Sequence, residues 1–298
     1  MSDSSHNILI GVDGGGTGCR VAIGTAQDGV VATAEGGRAN PASEFEIALK
    51  NIDAVIRAAA TKAGLPQSAL PDATAHLGLA GVMTQSVGTR IVKALGFKRA
   101  IVTDDRTIAV CGALGGHDGF LLSVGTGTIA AATKDGVDRA VGGWGFQVSD
   151  QASGAWLGRK ALEHTLLCHD GLARHTDLSG ALLAEFDNDP NNISTFSIRA
   201  QPGDFGAFAP QIVAAARDGD HLGQSLMQSG SNHLIRCLET LGFTAGDRLC
   251  LTGGVGPHYA SYLPSEVLTG QQNCLGSALD GAFQLAKRAA TKTKETAS

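Results

Sequence analysis

Twice in this chain a short apolar strand runs into a Gly/Thr-rich loop and then directly into a second strand-forming segment. The first instance is Ile8-Leu9-Ile10-Gly11-Val12, then Asp13-Gly14-Gly15-Gly16-Thr17, then Arg20-Val21-Ala22-Ile23-Gly24-Thr25, a Gln27-Asp28-Gly29 turn and Val30-Val31-Ala32-Thr33. The second is Phe120-Leu121-Leu122-Ser123-Val124, Gly125-Thr126-Gly127-Thr128, Ile129-Ala130-Ala131-Ala132-Thr133, a Lys134-Asp135-Gly136 turn and Val137. Glycines carry no Cβ, so their backbone N–H groups can come close to phosphate oxygens. In a Rossmann or P-loop unit such glycines would open a helix. Here the following residues are strand formers, which puts each loop at the tip of a hairpin. Neither G-x-G-x-x-G nor G-x-x-x-x-G-K-S/T can be written onto the first loop. A single Gly-rich loop is as readily a tight turn as a site. Two in matching contexts point to a pair of phosphate-gripping hairpins facing each other across a cleft.

The rest of the composition narrows the class. With 298 residues the chain has room for about two domains, each with its own core. A net charge of -5 and a pI near 6.0 leave no broad basic surface, which argues against nucleic acid or an anionic membrane as main partner. The segment Met1–Asn7 is polar and no apolar run approaches about 18 residues, so a cytoplasmic protein is expected. The six cysteines form no C-x-x-C and read as buried small hydrophobes rather than zinc ligands or disulfides. His164 and Cys168 share a helix face, but no further ligand stands near them in sequence and no metal is expected there.

Between the hairpins the pattern turns helical. Ser43 with Glu46 reads as a capping box for a helix carrying Phe45, Ala48, Leu49, Ile52, Val55, Ile56 and Ala59 and ended by Gly64. Strands near Thr74–Leu79 and Ala100–Thr103 complete a βββαβαβ order. The cluster Gly115-Gly116-His117-Asp118-Gly119 reads as a hinge between a first domain, 1–117, and a second, 118–298, with the extreme C-terminus free to return to the first. The second domain is predicted to hold a long helix near Ser153–His169, an irregular segment from Asp170 to Pro210, a helix near Asp220–Leu241, a strand Arg248–Thr252 and a last helix near Leu275–Ala290. Phe186–Gly206, rich in Asp, Asn, Ser and Pro, reads as an ordered insertion or lid, and Thr291–Ser298 as a frayed tail.

These features resemble the actin-like ATPase superfamily of sugar kinases, heat-shock chaperones and actin. Within it the chain is similar to the branch of N-acetylglucosamine kinases, bacterial glucosamine kinases and BadF/BadG-type ATPases. The resemblance covers nearly the whole chain. Its carriers are Asp13–Thr17, Asn40, Thr103-Asp104, Gly125–Thr128, Gly142-Gly143-Trp144-Gly145, Ser149-Asp150-Gln151-Ala152-Ser153-Gly154 and Leu251-Thr252-Gly253-Gly254. From Val148 to Phe208, with Cys168-His169-Asp170-Gly171, His175-Thr176 and Asp204-Phe205-Gly206, it looks closest to bacterial glucosamine kinases. It implies an α/β fold of two actin-like (ribonuclease H-like) domains, each a mixed βββαβαβ sheet flanked by helices, with the active site in the interdomain cleft.

The resemblance also implies a reaction, the ATP-dependent phosphorylation of the 6-hydroxyl of D-glucosamine with Mg²⁺. Transfer to a hydroxyl needs a carboxylate within reach of the attacking OH, and the family's base maps to Asp104, which also counts among the sugar ligands. The residues alone leave a second reading open, Asp104 as the cap of a helix through Arg106–Ala113. Its neighbour Asp105 is predicted on the opposite face of a continuing strand. Asp13 implies a Mg²⁺ ligand, acting through water. Gly14, Gly15, Gly16 and Thr17, and opposite them Gly125, Thr126, Gly127 and Thr128, imply phosphate contacts. Gly253 and Gly254 imply the adenosine side. Asn40, Gly143, Trp144, Gly145 and Asp150 imply sugar contacts. Ser149-Asp150-Gln151-Ala152-Ser153 departs from the commoner G-D-E-G-S pattern, and Gln151 removes a charge beside the sugar. An N-acetylglucosamine kinase is the nearest alternative, separated by pocket volume. An activator ATPase of 2-hydroxyacyl-CoA dehydratases would need closely placed cysteines, unlike the isolated Cys111 and Cys168. A non-catalytic sugar sensor would need a DNA-binding module, and none precedes Ile8. A homodimer stays open.

Overall fold

The two hairpins begin two separate sheets. A computed structural model describes residues 8–295 apart from Thr17 and Met83, so the expectation for Thr17, like those for Met1–Asn7 and for the last three residues, falls outside the described residues. The chain divides into two units, one of residues up to Asp118 together with those from Cys274 onward, the other of Gly119–Asn273.

In the first unit, β1 (Ile8–Gly14), β2 (Cys19–Thr25) and β3 (Gly29–Gly36) form the antiparallel run, and β4 (Thr74–Leu79) and β5 (Arg99–Thr103) add in parallel, in the order β3-β2-β1-β4-β5. All six residues of β4 are buried, as expected of a central parallel strand covered on both faces. Helix α1 (Phe45–Lys62) buries Ile52, Val55, Ile56 and Ala59 on one face. Helix α2 (Gln85–Leu95) leads into β5, and α3 (Asp105–Leu114) follows it. The opposite face is closed by the last helix, α11 (Ala278–Glu295), whose Phe283 and Ala286 join Leu9 and Ala22 in a small apolar cluster. The approach is close: a Cβ on Gly11 would lie 2.5 Å from the Phe283 backbone nitrogen.

Helix α1 starts differently from the expectation. Ser43 Oγ donates to the Asn40 carbonyl instead of capping, and Glu44 holds the cap position without a side-chain bond. The cause is an Asx turn, in which Asn40 Oδ1 takes the Ala42 N–H at 2.9 Å. The C-terminal end agrees: Gly64 has φ +69° and Leu65 N–H reaches back to the Ala60 carbonyl. At the other end of the chain a box does form. Ser277 N–H donates to Asp280 Oδ2 at 2.7 Å and Asp280 N–H to Ser277 Oγ at 3.3 Å. Helix α11 therefore begins three residues later than expected and runs through Thr291–Glu295, where fraying was predicted.

In the second unit, β6 (Gly119–Val124), β7 (Thr128–Lys134) and β8 (Val137–Gly142) repeat the meander, with β9 (Leu249–Thr252) and the two-residue β10 (Gln271–Gln272) beside β6, in the order β10-β9-β6-β7-β8. Helices α4 (Gly154–His169) and α9 (His221–Leu241) pack on this sheet, burying Trp156, Leu157, Met227, Leu234 and Leu238 with Phe120, Leu122 and Val124. The segment expected to be irregular is helical: α5 (Asp177–Ala184), α6 (Pro190–Arg199), α7 (Pro202–Gly206) and α8 (Ala209–Arg217). Phe196 gathers Phe186, Phe205 and Phe208 at ring distances of 5.4, 5.3 and 5.8 Å, so this is a packed subdomain. A short 3-10 helix, Gly256–Ser261, and α10 (Ser265–Leu268) complete the unit. Among the described residues no helix is long and apolar enough to cross a membrane.

Candidate active site

In the first unit, the β1–β2 register pairs Asp13 with Arg20 and Gly14 with Cys19, leaving Gly15–Gly18 as the hairpin tip, closed by Gly15 N–H to the Gly18 carbonyl at 2.8 Å. The half-buried Asp13 carboxylate meets the Arg20 guanidinium at 2.6 Å, a partner the sequence reading did not name although it lies directly across the ladder. Strand β5 stops at Thr103, and Asp104 becomes the N-cap of α3. Asp104 Oδ1 accepts the Thr107 N–H at 3.3 Å, and Oδ2 accepts Arg106 Nε at 2.7 Å. The capping geometry left open above is therefore present, and it holds the carboxylate in one rotamer.

Because the strand ends, Asp105 opens the helix rather than occupying the other face of a strand. Burial, then Asp104 and then Asp13 push its carboxyl pKa up. Behind it His76, in β4 and 4% exposed, has Nε2 3.1 Å from Thr103 Oγ1, which itself donates to the Asp104 carbonyl at 3.0 Å. Thr103 must then accept from Nε2–H. Nδ1, without a partner among the described residues, is the bare nitrogen, in keeping with a pKa lowered by burial to about 4. This His76–Thr103–Asp104 chain went unread in the sequence, since a lone histidine in an apolar run carries no signal.

The carboxylates of Asp13 and Asp105 are hard oxygen donors in a place where negative charge is in excess, which fits a Mg²⁺ ion. No group of three His, Cys, Asp or Glu among the described residues could hold a metal by itself. Asn40, expected at the sugar, has its Oδ1 committed to Ala42 and lies against Gly81.

In the second unit the two glycine loops expected at the nucleotide share one cavity. It has a volume of about 550 Å³, with Gly125, Thr126, Gly254, Val255 and His258 on one side and Pro210, Val213 and Arg217 of α8 on the other. Gly154 N–H binds the Gly125 carbonyl at 2.7 Å, and Val255 N–H binds the Val124 carbonyl at 2.9 Å, tying both loops to β6. Gly253 has φ +85°, and a Cβ there would meet the Val124 carbonyl oxygen at 2.3 Å. The α8 wall, Arg217 and His258 were not foreseen. Their one sequence signal is the small-residue run Ala214-Ala215-Ala216 ahead of Arg217.

Thr126 lines the cavity, whereas the Thr128 side chain is buried and its hydroxyl has no partner among the described residues. Beside it Asp150 is held at φ +62° and Ala152 at φ +73°, both left-handed and both buried. Such conformations cost on the order of 1–3 kcal/mol each and persist only when their surroundings impose them. At Ala152 the fully buried Tyr259 holds the turn, its hydroxyl donating to the Ala152 carbonyl at 2.7 Å. Burial pushes the Asp150 carboxyl pKa up, the nearby backbone N–H groups of Gly145 and Thr128 offset this in part, and the carboxylate lies against Gly127. Its Oδ1 is buried without a partner among the described residues. A buried acceptor on a strained turn has room in its lone pairs for a donor from a ligand or from water. Gly143 and Gly145, at φ +71° and +100°, flank Trp144, whose side chain is 66% exposed.

Two halves, each a meander extended by parallel strands and carrying a Gly/Thr hairpin at its first turn, define an actin-like ATPase fold. The chain belongs to the BadF/BadG/BcrA/BcrD ATPase family, whose model matches residues 10–267. It is 32% identical to the glucosamine kinase GspK of Vibrio cholerae over 94% of this chain and 96% of that protein. It is 29% identical to an N-acetylmuramic acid/N-acetylglucosamine kinase of Clostridium acetobutylicum over 59% of this chain and 58% of that one. A crystal structure from Chromobacterium violaceum, named as an N-acetylglucosamine kinase, superposes with a TM-score of 0.84 at 31% identity, covering 95% of this chain and 99% of the other.

Proposed function

We propose that this protein transfers the γ-phosphoryl group of ATP to the 6-hydroxyl of D-glucosamine, yielding ADP and glucosamine 6-phosphate, with Asp104 as general base. The sugar-kinase class rests on the kinase relatives, and the use of ATP rests on the family. The observation that carries the site reading is the single cavity shared by Gly125-Thr126 and Gly254, loops far apart in sequence. The activator-ATPase alternative has little to stand on, since Cys111 and Cys168 are both buried.

In this reading the α8 wall holds the nucleoside and the backbone of Gly125 and Thr126 receives phosphate oxygens. Asp150 takes a sugar hydroxyl on its Oδ1. Arg106 and Thr107 hold Asp104 so that a remaining carboxylate lone pair accepts the proton of the attacking hydroxyl. Asp13 would hold Mg²⁺, which when bound neutralises charge on the transferred group. Arg20 then gives up or shares the Asp13 carboxylate.

The acceptor is the finer part of the proposal. An amino sugar presents an ammonium, and its acetylated form a larger neutral amide. Discrimination of this size is worth about 1–3 kcal/mol, or roughly 10–200-fold. The N-acetylglucosamine reading is favoured by the name of the Chromobacterium structure at nearly the same identity. A coupled ADP-release assay across glucosamine, N-acetylglucosamine, glucose and mannosamine separates them. Glucosamine should show the highest kcat/KM. A higher value for N-acetylglucosamine would replace the acceptor and keep the kinase.

A further inference from the structure

Away from the nucleotide cavity, the second unit carries another concavity that none of the roles above uses. It opens where the C-terminal half of α4 and the starts of α5 and α9 meet. Its two parts, of about 500 Å³ and 550 Å³, share His175, Thr176 and His221. One part is basic, with Lys160, His164 and Arg174 around an apolar floor that includes Leu167 and Leu222. Its one carboxylate, Glu163, is paired with Lys160 at 2.8 Å. The other part is acidic, lined by Asp177, Asp218 and Asp220. Of these, Asp220 is already committed to the Leu178 and Gly223 N–H groups at 3.0 Å, whereas Asp177 and Asp218 are exposed.

We propose that this groove binds an amino-sugar phosphate monoester, with its phosphate toward Arg174 and toward Lys160, drawn from its surface pair with Glu163, and its ammonium toward Asp177 and Asp218. An inorganic anion would use only the basic part, and a neutral sugar neither. A ligand charged oppositely at its two ends matches both, and charge complementarity of this kind sets register and specificity. Each part is within the usual range of small-molecule sites, about 300–1,000 Å³. Such a ligand has the chemistry of the product proposed above, and the choice of an amino sugar rests on that reading.

Helix α8 links the groove to the nucleotide cavity. Pro210, Val213 and Arg217 wall the cavity, while Ala215 and, just past the helix end, Asp218 wall the groove. Arg217 Nε stands 3.5 Å from Asp218 Oδ1, so an ammonium at Asp218 competes for the carboxylate that draws this guanidinium. Occupation of the groove thus changes the surroundings of the nucleotide, and by linkage the nucleotide changes groove affinity by the same factor. Accumulating product acts back on ATP binding from a second site.

Calorimetry with D-glucosamine 6-phosphate tests this on the full chain saturated with glucosamine and a non-hydrolysable ATP analogue, so that the reaction centre is filled. One equivalent should still bind. The double variant Lys160→Ala/Arg174→Ala should weaken it by at least roughly tenfold, as should Asp177→Asn/Asp218→Asn. In the first of these, kcat and both KM values without product should stay within about twofold of wild type, since surface changes of this kind are near neutral. Glucose 6-phosphate should bind roughly tenfold more weakly than glucosamine 6-phosphate, and inorganic phosphate more weakly still. No heat with the centre filled, or binding indifferent to both double variants, overturns the groove. Equal affinity for inorganic phosphate overturns the two-ended recognition. The titration needs no turnover, so a chain that phosphorylates a different sugar would lose the functional reading while the groove is judged on its own heats.

Discussion

Asp104 caps α3 through Thr107 and is gripped by Arg106, so a substitution there reports on chemistry only if the cap survives. Asn caps as well as Asp, whereas Ala would cost about 1 kcal/mol of helix stability. Asp104→Asn should therefore keep the fold and the binding of sugar and ATP while losing on the order of 100- to 10,000-fold in kcat. Turnover measured beside calorimetric binding checks this, and activity within about tenfold of wild type would move the base elsewhere. A second expectation concerns His76. Its pKa is held at about 4, below the ordinary value of about 6.5, so the unfolded chain takes up the proton first. The stability contributed by the neutral ring is complete above about pH 6.5 and is lost as pH falls toward 4. Over that interval wild type should lose up to about 3 kcal/mol more than His76→Gln in urea unfolding. Parallel curves would show that the buried imidazole is not the titrating group.

Among the elements, the loop after β9 is the most sharply specified. Gly253 is left-handed with the Val124 carbonyl pressed against it, so Gly253→Ala must shift backbone that walls the nucleotide cavity. The expected result is a KM for ATP raised by roughly tenfold, about 1.4 kcal/mol, with the KM for sugar changed much less. Initial-rate kinetics with each substrate varied decide it, and equal rises in both would mean general damage. The hairpins and this loop are legible in the sequence because strand alternation and glycine turns are local signals. Helices α5 to α7 are not. The Thr, Asp and Pro that make the region look like loop are their start signals: Thr176 and Asp189 cap α5 and α6, and Pro190 and Pro202 open α6 and α7. The phenylalanines that pack them are spread from Phe186 to Phe208 and show no short period. The α8 wall is invisible for another reason, since Ala and Val suit a cavity lining and a core equally. The left-handed Asp150 and Ala152 are non-glycine residues, and the group that holds the Ala152 carbonyl, Tyr259, lies more than a hundred positions away.

The first unit is assembled from both ends of the chain. Helix α11 lies on β1 and α3, and the burial of Phe283 alone is worth about 1.5–3 kcal/mol. Removing residues from Cys274 onward would expose that face of the sheet. The shortened chain should lose the protease resistance of the first unit while a fragment spanning residues 119–273 persists, and mass spectrometry of the digest would show it. Survival of 8–118 at wild-type rates would mean that the helix is ornamental. The same connectivity sets an order of events at the ribosome. Domains fold as units while synthesis proceeds from the N-terminus, and the middle unit has all its residues before the first unit has its last helix. The strand that leads into Asp13 therefore waits, through the synthesis of more than two hundred further residues, for a cover that comes only with α11.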